Sequence, residues 1–184
     1  MSSERNSTAI GFLTVVRHEP HGLFGGYLLL NRNGRPLEFH CTAPVKPNRA
    51  QEILYGATLE SYLYGEAIGA TLTAKSSARI DFLCVDVPAA LAVRDFIDAP
   101  VALVTTDAEP AVDDQPLFRV DGPHAAGLER FRLGRYQGAV AKRHAADEAI
   151  LLERSRQLAE HFDLAEPFAR IRGAIDEARR GAKA

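Results

Sequence analysis

Gly25-Gly-Tyr-Leu-Leu-Leu-Asn-Arg-Asn-Gly-Arg-Pro-Leu-Glu-Phe-His-Cys-Thr42 holds the clearest local signal in the chain. Asn33-Gly34 sits between two apolar runs, and a type I′ hairpin turn needs positive φ at both central residues, which this pair tolerates. The returning strand alternates, with Leu37, Phe39 and Cys41 on one face and Glu38, His40 and Thr42 on the other. Upstream, residues 9–17 are β-rich and apolar on both alternations, as a central strand covered on both faces requires. Downstream, Pro44 and Pro47 end the strand and Asn48 caps a helix from Arg49, whose buried face is expected at Ala50, Ile53, Leu54 and Ala57. Gly65 and Gly69 predict a kink or a second helix over residues 67–75. A strand over 79–87, a helix opened by Pro88 and a short strand over 100–105 complete this half.

After residue 105 the pattern changes. Residues 106–121 form an acidic, Pro-rich linker, and 122–184 read as a helical extension. One apolar stripe there is Ala145, Ala149, Leu152, Ala159 and Phe162; a second is Phe168, Ile171, Ile175 and Ala178. Asp163-Leu-Ala-Glu166 between them has the form of a capping box, so the two predict an αα-hairpin. The expected organisation is an α/β sheet domain over 1–105, a linker over 106–121 and a helical C-terminal extension over 122–184.

Composition narrows the class without naming a partner. The 184 residues include 22 Lys and Arg against 24 Asp and Glu, a formal charge of −2, with 46% apolar residues. This excludes collagen-like, disordered, disulfide-stapled and strongly basic chains. A polar start, no apolar run of membrane length and two cysteines inside apolar runs, Cys41 and Cys84, predict a reduced cytoplasmic protein with two core thiols and no membrane segment. The near-neutral total hides two blocks: residues 105–121 carry five acids and one base, and 122–144 carry five bases and one acid.

The element order β-β-β-α-β-α-β over residues 9–105, with its first three strands antiparallel, resembles the ribonuclease H-like fold. Gly25-Gly-Tyr-Leu-Leu-Leu and Pro47-Asn-Arg-Ala-Gln-Glu-Ile-Leu resemble the corresponding stretches of that family. The resemblance implies a mixed five-stranded sheet; a profilin-like or roadblock-like sheet is the rival. It also implies acids on the first strand, at the start of the first helix and at the end of the fourth strand, converging on two metal ions. Asp86 fills the last position. The first strand has no Asp, Glu19 lies past its end, and the helix start offers Gln51, with Glu52 roughly opposite the expected buried face.

Three functional readings follow. In the first, parallel strands bring His18, Glu19, His21, His40 and Asp86 to one sheet edge, where imidazole and carboxylate ligands suit a divalent metal. Glu19 and Asp86 are then the catalytic candidates of a metal-dependent hydrolase or nuclease, with His18, His21 and His40 as metal ligands. In the second, Arg130, Arg132, Arg135, Tyr136, Lys142 and Arg143 form a basic, ring-bearing nucleic-acid surface, unless they pair with the acidic 106–121 segment. In the third, which the residues favour because no nucleophile, base and orienting group share a convincing spacing, the chain is a non-catalytic binding or assembly module. Its expected partner surface is the helix pair over 145–180. No cofactor is expected beyond the divalent metal of the first reading.

Overall fold

The computed structural model describes residues 9–105 and 127–181. The acidic 106–121 segment, and its pairing with the basic segment, lie outside the described residues. Strands β1 (Ala9–His18), β2 (Gly22–Leu30) and β3 (Pro36–Cys41) form an antiparallel meander. Helix α1 (Arg49–Tyr55) and α2 (residues 59–73, π-wound over Tyr62–Ala70) follow, then β4 (Ile80–Val85), a 3-10 helix (Pro88–Asp95) and β5 (Val101–Thr105). The chain continues with β6 (Leu128–Leu133), β7 (Tyr136–Ala141), α3 (Asp147–Ser155) and α4 (Glu166–Gly181). The sheet is mixed, α/β, and ordered β3-β2-β1-β4-β5-β7-β6, with β4 parallel to β1 and β5 parallel to β4.

Among the described residues the sheet therefore has seven strands, not five. The additional pair comes from residues 128–141, within the segment expected to be helical. Phe131 and Leu133 are buried and alternate with the exposed Arg130 and Arg132, a period of two. Gly134 (φ 62°) takes the first central position of a two-residue turn, as a type II′ hairpin requires.

The first hairpin forms as expected but with a different turn. Positive φ occurs only at Gly34 (80°), the N–H of Gly34 donates to the carbonyl of Asn31 at 2.9 Å, and Asn31 Oδ1 accepts from the N–H groups of Asn33 and Arg35. This is a three-residue loop with a type I turn and a left-handed glycine, held by the Asn31 side chain.

Both sheet faces are covered. Leu13, Val15, Tyr27, Leu29, Leu83 and Val85 pack beneath α2 and the 3-10 helix. Phe12, Leu28, Phe82, Cys84, Val104 and Phe131 pack beneath α3 and α4. β2 receives a helix on each face: a Cβ on Gly25 would meet Ile68 at 2.1 Å, and one on Gly26 would meet Ile171 at 2.2 Å. Neither helix could sit at its present depth over a larger residue.

Four expectations about burial change. Asn48 does cap α1 in a full capping box with Gln51, but no α1 residue is buried, and Ile53 and Leu54 are 66% and 82% exposed. The buried helical face belongs instead to the next helix, with Leu63, Tyr64, Ile68 and Leu72 of α2. Gly65 and Gly69 do not break α2 but let it approach Ala92 and Val93 of the 3-10 helix. Cys84 is fully buried, whereas Cys41 is exposed because β3 is the outermost strand. In the C-terminal part the stripe of Phe168, Ile171 and Ile175 is buried on the sheet, while Ala145 and Ala149 of the other stripe are exposed, Leu152 and Phe162 are partly buried, and the fully buried apolar residue of α3 is Leu151, which lies off that stripe. The Phe168, Ile171 and Ile175 stripe is thus answered by this chain's own sheet.

Candidate functional site

Strand direction alone would gather His18, Glu19, His21, His40 and Asp86; strand register keeps them apart. Leu13 of β1 is level with Val85 of β4. Asp86 is therefore level with Thr14, and His18 lies four residues, about 13 Å, further along β1. The ten-residue β1 overhangs the six-residue β4. His40 is level with Tyr27, itself level with Leu13, and its side chain lies on the opposite face, beneath α2. His21 is exposed, and Glu19 is exposed with its nearest cation Arg17 at 3.8 Å. Among the described residues no three His, Cys, Asp or Glu side chains come together as a metal site. The described residues therefore do not bring this grouping together.

Asp86 has the most constrained environment. It ends β4 beneath α4, with a side chain 12% exposed, and Arg172 of α4 places its guanidinium directly on Oδ2. Oδ1, like the fully buried Thr14 Oγ1, has no hydrogen-bond partner among the described residues. Burial pushes the Asp86 carboxyl above its usual range, against the pull of the Arg172 charge.

The two-metal arrangement implied by the resemblance does not fit these residues. The position on β1 facing Asp86 holds Thr14, a neutral hydroxyl where the chemistry needs a carboxylate. The carboxylate present already carries a guanidinium, so a divalent cation would meet like charge. Gln51 is bound into the α1 capping box and Glu52 pairs with Arg49 at 3.0 Å.

Two further polar clusters contain the remaining histidines. At the far end of α4, Arg179 Nη1 donates to His18 Nδ1 at 3.0 Å, while His18 Nε2 faces Asp176 at 3.4 Å. Arg179 also lies over the Phe24 ring at 5.3 Å, beside a small cleft lined by Cys41, Thr42, Pro44 and Ile175. On β3, His40 Nε2 contacts Glu38 Oε2 at 3.0 Å, and Ser77 donates to Glu38 Oε1 at 3.2 Å. The His40 hydrogen bond foremost holds the Glu38 carboxyl below its usual range. With the carboxylate between hydroxyl and imidazole, this order does not activate the serine, which needs the imidazole as its immediate neighbour.

The basic segment is dispersed over the β6–β7 hairpin. Phe131 is buried, and Tyr136 is buried with its hydroxyl donated to Asp163 at 2.6 Å, so neither ring is open for base stacking. Arg135 pairs with Asp163 at 2.9 Å and Arg143 with Asp95 at 2.7 Å. Arg130, Arg132 and Lys142 are exposed.

Sequence reasoning missed Thr14, Arg172, Asp176 and Arg179. The last three stand at i, i+4 and i+7, a polar line beside the Ile171/Ile175 stripe, and that spacing was readable. Thr14 was not distinguishable from any other β-branched strand residue without the register. The chain matches no family model, no curated protein and no solved structure in these comparisons. No helix among the described residues is long and apolar enough to cross a membrane.

Proposed function

We propose that this chain is a non-catalytic binding or assembly module built on a ribonuclease H-like sheet. The order β3-β2-β1-β4-β5 at one end of the sheet, antiparallel for the first three strands and parallel thereafter, supports the fold side of this reading. One observation carries the functional side: Arg172 occupies the carboxylate of Asp86, and Thr14 stands opposite it. A cation site would have to expel a guanidinium and would still lack its second carboxylate. The hydrolase alternative joins Glu19 to Asp86, which β1 and β4 hold at different heights.

The test is calorimetric titration of manganese, magnesium and zinc into the wild type, Asp86→Ala and Arg172→Ala. The expected outcome is that no metal gives binding that depends on Asp86. Saturable binding to the wild type that disappears in Asp86→Ala would overturn the reading. For the nucleic-acid alternative, affinity for a random oligonucleotide is expected to survive replacement of Arg130, Arg132 and Arg135 by Ala.

A further inference from the structure

We infer that the chain assembles as a dimer by antiparallel pairing of β3 with β3 of a second copy, joining two seven-stranded sheets into one. This rests on the assembly reading above and gives it a surface and a partner.

β3 is the last strand at its end of the sheet among the described residues. The Thr42 N–H donates to the Gly25 carbonyl at 3.0 Å, and Gly25 donates back to Thr42 Oγ1 at 2.9 Å. Antiparallel ladders alternate, so His40 and Glu38 turn their main-chain groups toward β2. Phe39 and Cys41 turn theirs toward the open edge, and Leu37 adjoins them at the register shift. An edge of this kind is a template for another strand unless charge, proline or a bulge blocks it; in β3 the proline and the register shift both lie at the start, at Pro36 and Leu37, and residues 38–41 keep regular register with β2. Leu37 and Phe39 are 43% and 38% exposed, two of the five large apolar side chains exposed among the described residues.

The side-chain order selects the occupant. Leu37-Glu38-Phe39-His40-Cys41 reads apolar, acidic, aromatic, basic-capable, apolar, and it is its own complement when reversed. A two-fold axis at Phe39 sets Phe39 against Phe39 of the second copy. It sets Glu38 against its His40, and Leu37 against its Cys41. The outward residues Phe39 and Cys41 would each exchange main-chain hydrogen bonds across the axis. Glu38 and His40, already 3.0 Å apart within the strand, would gain a second partner each. A parallel pairing in the same register would put Glu38 against Glu38, so the pattern specifies the antiparallel, two-fold arrangement. Such an interface is isologous and closes at two copies.

The test is light scattering of the full chain through the micromolar range, with circular dichroism as a check on folding. The wild type should have the mass of two chains. Phe39→Pro removes an N–H that faces outward, not one in the ladder to β2, and should give a folded single chain. Glu38→Lys and His40→Glu each place two unfavourable cross-strand pairs in their own dimer and should each weaken it about tenfold. Mixed together, these two variants restore opposite charge at both pairs and should recover a heterodimer of near wild-type affinity. A monomeric wild type would overturn the inference, as would a dimer indifferent to Phe39→Pro, or a mixture no tighter than its components. Those outcomes leave the argument from Arg172 and Asp86 intact, while metal binding at Asp86 would leave the pairing intact.

Discussion

The two ends of the sheet are closed in opposite ways. At the β6 end, the strand facing solvent carries Glu129, Arg130 and Arg132, all exposed, and charge clasps tie the hairpin and its neighbours to the rest of the molecule. Arg94 holds the buried Asp147 with two hydrogen bonds at 2.7 and 3.2 Å; Arg143 and His144 converge on Asp95; Tyr136 and Arg135 converge on Asp163. At the β3 end, one face of the strand is apolar and half exposed, and Glu38 with His40 and Ser77 is the polar cluster beside it. Charge on an edge strand costs little in folding and discourages pairing; an apolar, self-complementary edge invites it. At one end the polar groups of this chain serve internal closure; at the other they form a pattern that a second strand would complete.

Breaking the closed end should have the largest effect. Arg94→Ala leaves the Asp147 carboxylate, 5% exposed, without its guanidinium. Loss of one partner of a buried pair costs about 3–5 kcal/mol, so urea unfolding should show a loss of that order. Light scattering should show the oligomeric state unchanged. At the open end, Leu37→Thr should change stability by less than about 0.5 kcal/mol while weakening association.

The smallest effect concerns pH. The Arg143 hydrogen bond, with His144, holds the Asp95 carboxyl below its usual range. A depressed carboxylate contributes stability above its unfolded value, and that contribution fades as pH falls through the folded value. The stability difference between wild type and Arg143→Ala should therefore be present at neutral pH and close in the acid range below the usual carboxylate value. Because Asp95 is 42% exposed, the difference should be on the order of a few tenths of a kcal/mol.

Much of the sheet was legible because its strands announce themselves locally. The β1 run, the Asn48 cap and Pro88 each act through neighbouring residues and stand where the sequence places them; the hairpin after β2 also stands there, with Gly34 but not Asn33 at positive φ. Asp163 likewise caps α4, accepting from the N–H groups of Ala165 and Glu166, although Glu166 turns to Arg170 instead of completing the box. The β6–β7 hairpin had its signal too, in the alternation of Arg130-Phe131-Arg132-Leu133 and in Gly134, but its charge density drew the reading toward a basic surface. The candidate site was less legible. Asp86 was found, yet its partners Thr14 and Arg172 are 72 and 86 residues away, and only register and helix placement bring them together. The double glycine at 25–26 looked like a strand opening; that each residue admits a different helix is a property of the layered packing.

Amide hydrogen exchange followed residue by residue against protein concentration distinguishes a paired from an unpaired β3 edge, because β3 presents both kinds of amide in one strand. The N–H groups of Glu38 and His40, turned to β2, should be protected at every concentration. Those of Phe39 and Cys41 should be fast in dilute protein and become protected as the dimer fills. Protection of the outward amides that never changes with concentration, or exchange that stays fast throughout, would rule out pairing of β3 with a second copy.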